Sequence, residues 1–141
     1  MIRKIDLLKD CEIISGVGEV IFKIQDFQKA PAEERWVMGA TAFPFKPISV
    51  KKVNYIFVPE ILKREGKTRE EHPDTQFRVR ILENITIAVA FNSLGYGLLV
   101  FPKTSEKKPD YSEAIVIKSN EGIEFLKEIW DYFRSKGKIN P

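Results

Sequence analysis

Two arginines placed two residues apart, Arg78 and Arg80 in "QFRVRIL", are the side chains whose spacing most invites chemistry. If this segment alternates as a strand, both guanidinium groups stand on one face while Phe77, Val79 and Ile81 fill the core. Paired guanidinium groups can clamp a carboxylate or phosphate through several directed N–H donors, so an anionic effector is one reading. The commoner arrangement is an exposed sheet face on which they pair with Glu83 or Glu113, and such surface pairs are weak. Trp36 and Trp130 carry the same choice between a ring that stacks on a ligand and, more often, an anchor of the core. The turn Phe43–Pro47, "FPFKP", is either an aromatic contact loop or a turn that tucks its rings over the core edge.

Other reactive groups are sparse. His72, the only histidine, could hold a cation with Glu70, Glu71 and Asp74, but one imidazole among loop carboxylates lacks the supporting shell of a metal site. A solvated acidic loop is the simpler reading, and no metal ligand set is expected. Cys11 has no histidine near it in sequence and reads as an inert thiol; a lone cysteine also rules out an internal disulfide. Pro109, Asp110, Glu113 and Lys118 are loosely similar to the acid-and-lysine set of restriction-type nucleases, yet Glu113 and Lys118 are five apart where the pattern needs two. "GVGEV" lacks the third glycine of a dinucleotide fingerprint and has no GKS or GKT, so it reads as the start of a helix, and no cofactor is expected.

The elements that must position these groups can be followed along the chain. Val17, Val20, Ile21, Ile24 and Phe27 fall at helical spacing after Ser15 and Gly16, which could cap the helix. "RWVMGATAF" predicts a buried strand that stops at Pro44. "ISVKKVNYIF" reads as an edge strand or a loose connection, and "VPEILKREG" as a short helix ended by Gly66. After the polar loop "KTREEHPDT" and the strand of Arg78 and Arg80, "ITIAVAF" and "YGLLVF" flank "NSLG", whose Asn and Gly suit a reversal between antiparallel strands. "EAIVIK" adds a strand. A long helix closes the chain, capped by Ser119 or Asn120 and carrying an apolar stripe of Ile123, Leu126, Ile129, Trp130 and Phe133. The order α-β-(β)-α-β-β-β-β-α predicts an α/β fold, with α+β as the other option, in which helices cover a mixed sheet.

Composition bounds what such a fold is for. The 141 residues suit a single domain, which would bury about 68–70% of the surface its unfolded chain exposes. Hydrophobic residues make up 43% and charged residues 30%, with ten Phe, which describes a chain with a real core. A net charge of +3, with acids and bases interspersed, implies no field for capturing polyphosphate. No apolar run of transmembrane length or signal peptide is read, so a cytoplasmic protein without membrane contact is expected. Many Lys and Glu beside one Cys and one His lean towards a thermophilic source.

The run "FRVRILENI…NSLGYGLLVFP…KPDYSEAIVIKSNEGIEFLKEIWDYF", about residues 76 to 134, resembles the second half of phospholipase-D-like domains. It is most similar to the inactive versions that accompany winged-helix modules in archaeal TrmB-like transcription regulators and sensors. Active members carry HxKxxxxD, in which His attacks phosphorus, Lys neutralises its oxygens and Asp orients the His. In the hairpin register the resemblance implies, those positions are Ile85, Ile87 and Asn92. Two aliphatic chains and an amide cannot do that work, so no catalytic residue is assigned and the inventory points away from an enzyme of this type.

The expected function is therefore an effector-sensing or dimerisation module for transcription regulation that lacks its own helix-turn-helix and works with a DNA-binding partner. The residues expected to face a small-molecule effector are Arg78, Arg80, Trp36 and Asn92, and the fold analogy implies a homodimer. The alternative is a divergent hydrolase or nuclease-like enzyme with an unrecognised site.

Overall fold

The computed structural model describes residues 11–39, 50–59, 70, 72–103, 108–109 and 111–140. In chain order its elements are β1 (Cys11–Ser15), α1 (Val17–Lys29), β2 (Glu34–Gly39), β3 (Lys52–Phe57), β4 (Gln76–Ile81), β5 (Ala88–Asn92) and β6 (Gly97–Val100). A small two-stranded ribbon, β7 (Pro102–Lys103) with β8 (Lys108–Pro109), precedes β9 (Glu113–Ile117), α2 (Asn120–Lys136) and β10 (Lys138–Asn140). The main sheet has eight strands in the order β1-β9-β6-β5-β2-β3-β4-β10. Strands β2, β3 and β4 are parallel and the remaining pairs antiparallel, so this is a mixed sheet, and α1 and α2 lie on its opposite faces.

Strand parity decides what each helix meets. Arg35 and Val37 share a face with their cross-strand partners Asn92 and Ala90, and α1 lies there, placing Phe27 under the Arg35 guanidinium. Trp36 and Met38 look the other way, towards α2, whose Lys127 ammonium sits 5.5 Å from the Trp36 ring. Helix α2 starts beside β9 and delivers the chain to β10 at the far edge, so it crosses the sheet on that face. Its N-cap is Ser119, whose hydroxyl accepts from the Gly122 N–H at 3.0 Å. Glu121 in the first turn and Arg134 and Lys136 in the last complement the helix dipole. Ile123, Leu126 and Trp130 of the expected stripe are buried, with Ile129 and Phe133 half-buried beside them. In α1, Val20, Ile24 and Phe27 are buried, whereas Val17 is exposed because it precedes the point where the helix meets the sheet. Gly16 starts this helix without a side-chain cap, its N–H held by the Ser112 carbonyl at 2.7 Å.

Two expectations are corrected. The segment expected to be an edge or a loose connection forms β3, which lies between β2 and β4 with Val53 to Phe57 all buried. Its buried amide, Asn54, is accommodated because it donates to Glu34 Oε2 at 2.7 Å and to the Arg35 carbonyl at 3.3 Å. Strands β1 and β10, absent from the expected order, close the two edges. The helix expected over 58–66 lies almost wholly outside the described residues, as does the Phe43–Pro47 turn.

Between β5 and β6 the chain reverses through Ser93 to Tyr96, with Gly95 at φ +85°, a conformation side chains disfavour. Gly97, two residues on, is required for a different reason. A Cβ built there would lie 2.5 Å from Leu126 Cδ1 and 3.0 Å from Ile123 Cδ1, so the bare backbone is what lets α2 approach the sheet. Gly97→Ala is expected to cost about 1–3 kcal/mol through overpacking, read as a lower midpoint in chemical denaturation. A midpoint equal to that of the parent protein would show that α2 can back away freely.

Candidate functional site

The pairing register places three of the four expected ligand-facing residues on one face of the sheet. Phe91, Trp36, Asn54 and Arg78 form a row across β5, β2, β3 and β4, and Arg80 stands in the next row opposite Ile56. Trp36 is half-buried and stacks on Phe91, with ring centroids 4.9 Å apart and an interplanar angle of 11°. Arg78 is exposed. Arg80 is half-buried and reaches the Gly137 carbonyl only at 3.5 Å. Among the described residues neither arginine pairs with Glu83 or Glu113; the ion pair seen there is Lys51–Glu33, at 3.6 Å and exposed. Arg78 thus stands exposed on the α2 face, on the strand next to the β10 edge.

Asn92 does not join them. It sits on the opposite face, level with Arg35, and is almost fully buried. Its Oδ1 accepts from the Leu94 N–H at 3.0 Å and the Tyr96 N–H at 3.2 Å, which makes it the organiser of the β5–β6 turn. The other two motif positions are equally occupied by structure. Ile85 is 4% exposed in the core, and Ile87 packs against that core.

Sequence reading missed Arg35, the largest fully buried side chain among the described residues, with a relative exposure of 0%. One amino group donates to the Gln28 carbonyl at 2.5 Å, in the last turn of α1, and the guanidinium carbon lies 5.3 Å from the centre of the Phe27 ring. This contact ties the negative end of the helix to the sheet. Desolvation pulls the Arg35 pKa below its ordinary value, and neighbouring Tyr55 opposes that shift. One signal was available: alternation in "ERWVMG" puts Arg35 in phase with Val37 and hence inside. Tyr96 was also missed; its ring lies 5.9 Å from Phe27 and carries the Lys118 ammonium 5.6 Å away. Burial, then Asp26 and Glu12, push the Tyr96 phenol above its usual range, so it remains protonated at neutral pH.

The remaining candidates stay apart. Among the described residues no group of three or more His, Cys, Asp or Glu side chains converges as a metal site. The His72 carbonyl accepts from Thr75 N–H at 3.2 Å in a turn, with Asp74 exposed. Cys11 is half-buried on β1. A hollow of about 40 Å³ lies between α1 and the sheet, lined by Ile24, Phe27, Val37, Ala88, Ala90 and Leu98 among others. Its lining is apolar, and it is far smaller than the roughly 150 Å³ engineered cavity that admits benzene.

No protein-family model and no curated protein matches the sequence. Solved structures do. TrmBL2, an archaeal chromatin protein whose structure shows a novel mode of DNA binding, aligns with a TM-score of 0.68 at 12% identity. That alignment covers 93% of this chain and 53% of TrmBL2, so the chain spans about half the length of that protein. NucT from Helicobacter pylori aligns at 0.62 and 11% identity, covering 92% of this chain and 98% of NucT. Nuc, a phospholipase D family member from Salmonella typhimurium, aligns at 0.62 and 12% identity with the same two coverages. The chain thus has a phospholipase-D-like fold. In this fold the chain aligns with nearly the whole of NucT and Nuc and with about half of TrmBL2. Among the described residues no helix is long and apolar enough to cross a membrane.

Proposed function

We propose that the chain is a non-catalytic effector-sensing or dimerisation module linked to transcription regulation, acting in concert with a DNA-binding protein. The observation that carries this reading is the fate of the three motif positions. Ile85 is a core residue, Ile87 packs beside it, and Asn92 spends its oxygen on two backbone N–H groups. Aliphatic side chains have no lone pair to offer phosphorus and no charge to steady its oxygens, and an amide oxygen so engaged has none left to orient a nucleophile. The likeness to TrmBL2 supports a link to DNA-associated proteins, and the small net charge of +3 favours contact through a partner over direct capture of the phosphate backbone. Arg78, with its exposed guanidinium, and Trp36, stacked on Phe91, are the residues through which an anionic effector would be felt on the α2 face.

Sedimentation of the purified protein, run beside a phosphodiesterase assay on bis(p-nitrophenyl) phosphate with and without EDTA, tests this. A dimer with hydrolysis no faster than the buffer blank is expected. Turnover that scales with protein concentration and survives repurification would overturn the non-catalytic reading, and a monomer at all concentrations would remove the dimerisation half of it.

A further inference from the structure

Several donor groups buried on the α1 face lack an acceptor among the described residues. The Arg35 guanidinium is fully buried, yet of its N–H groups only those on one amino nitrogen meet a partner, the Gln28 carbonyl. Among the described residues Nε and Nη1 have none. Asn92, its direct neighbour across the β2–β5 pair, has its oxygen committed to the turn, so its amide nitrogen also goes without. The Tyr96 hydroxyl, buried beside the Phe27 ring that also covers Arg35, is a third group in the same position. No carboxylate among the described residues forms an ion pair with Arg35. A guanidinium does not deprotonate in a protein, so the charge stays, and burying a charge with unmet donors costs several kcal/mol. A water molecule can accept hydrogen bonds from these groups but leaves the charge uncompensated.

We infer that Arg35, Asn92 and Tyr96 form a binding site for a compact anion, the size of a halide or a single carboxylate group, between the C-terminal turn of α1 and the β5–β6 turn. The site offers a fixed positive charge, amide N–H groups and a phenol, which call for a negative acceptor; Asp26 and Glu12, whose carboxylates act on the Tyr96 phenol, oppose an anion at that end, so the ligand's charge belongs beside Arg35 and Asn92. Near-complete burial of Arg35 and Asn92 limits the ligand to small size. An aspartate at position 92 would keep the oxygen that organises the turn and place a carboxylate beside Arg35. The amide there leaves that charge to be met from outside the described fold. This site does not depend on whether the module is catalytic or dimeric.

Thermal melting of the full chain in chloride, acetate and phosphate series tests the inference, with ionic strength balanced by a bulky sulfonate that cannot enter. The parent protein should gain about 3–6 °C in chloride or acetate between low and roughly 100 mM anion, as ligand linkage for a weak site requires. A response to chloride identifies a free inorganic ion as sufficient; a response to acetate alone identifies the carboxylate of a small organic acid. Phosphate, being bulkier, should give the smallest shift. Asn92→Asp should melt higher than the parent at low anion and lose the response, since the ligand is then built in. Equal responses in the parent and in Asn92→Asp, or no response in the parent, would overturn the site. If Asn92→Asp does not fold, Tyr96→Phe decides: its shift should fall to half or less of the parent's, and an unchanged shift overturns the inference.

Discussion

Leu126→Ala is expected to lower stability by about 2–5 kcal/mol, measured as the loss in unfolding free energy in urea with an unchanged m-value. Leu126 is the fully buried centre of the α2 stripe, and its Cδ1 occupies the space that a side chain on Gly97 would need. Removing it opens a cavity where α2 approaches the backbone of Gly97, in a packed core that also contains Ile123 and Trp130 and relaxes only partially. The pair of positions gives a sharper outcome. In Gly97→Ala the added methyl collides with Leu126, so combining it with Leu126→Ala should cost less than the sum of the two single changes by at least about 0.5 kcal/mol. Strict additivity would mean that α2 does not rest on β6 at this point.

The parts of this fold that were legible in the sequence are those fixed by local chemistry. The β5–β6 reversal was marked by Asn92 and Gly95, which supply the turn acceptor and the positive φ. Helix α2 announced itself through Ser119 and a sustained apolar stripe, and β4 through strict alternation about Arg78 and Arg80. What stayed hidden depends on distant neighbours. Strand β3 opens beside Lys51 and Lys52, which suggested an exposed edge; its central place is accommodated by the Glu34 carboxylate, which satisfies the buried Asn54 from the adjacent strand. Strand β1 has a single buried residue, Ile14, and exposes Ile13, so it shows no readable alternation. Which face Asn92 shares with Arg35, and not with Trp36, follows from the order β5-β2-β3, and no local pattern encodes that order. The candidate site was therefore half legible: its residues could be named, but their separation onto two faces could not.

Ile85→His is expected to be among the most damaging single substitutions in the chain and to yield no phosphodiesterase. Ile85 is 4% exposed, so the change forfeits burial of an aliphatic side chain and places an imidazole where no partner is provided, together about 3–5 kcal/mol. Adding Ile87→Lys and Asn92→Asp restores the full set of residue types but not their setting. A catalytic histidine has to reach a substrate, whereas the backbone at position 85 directs its side chain into packed core. The triple variant should thus unfold at lower denaturant than the parent while showing no hydrolysis of bis(p-nitrophenyl) phosphate above the blank. Within that variant Asn92→Asp should work in the opposite direction, recovering part of the loss through Arg35, because it sits on the α1 face at the other end of β5. A triple variant that is both stable and active would show that Ile85 borders an open cleft, and that the scaffold had kept a reaction site in all but its side chains.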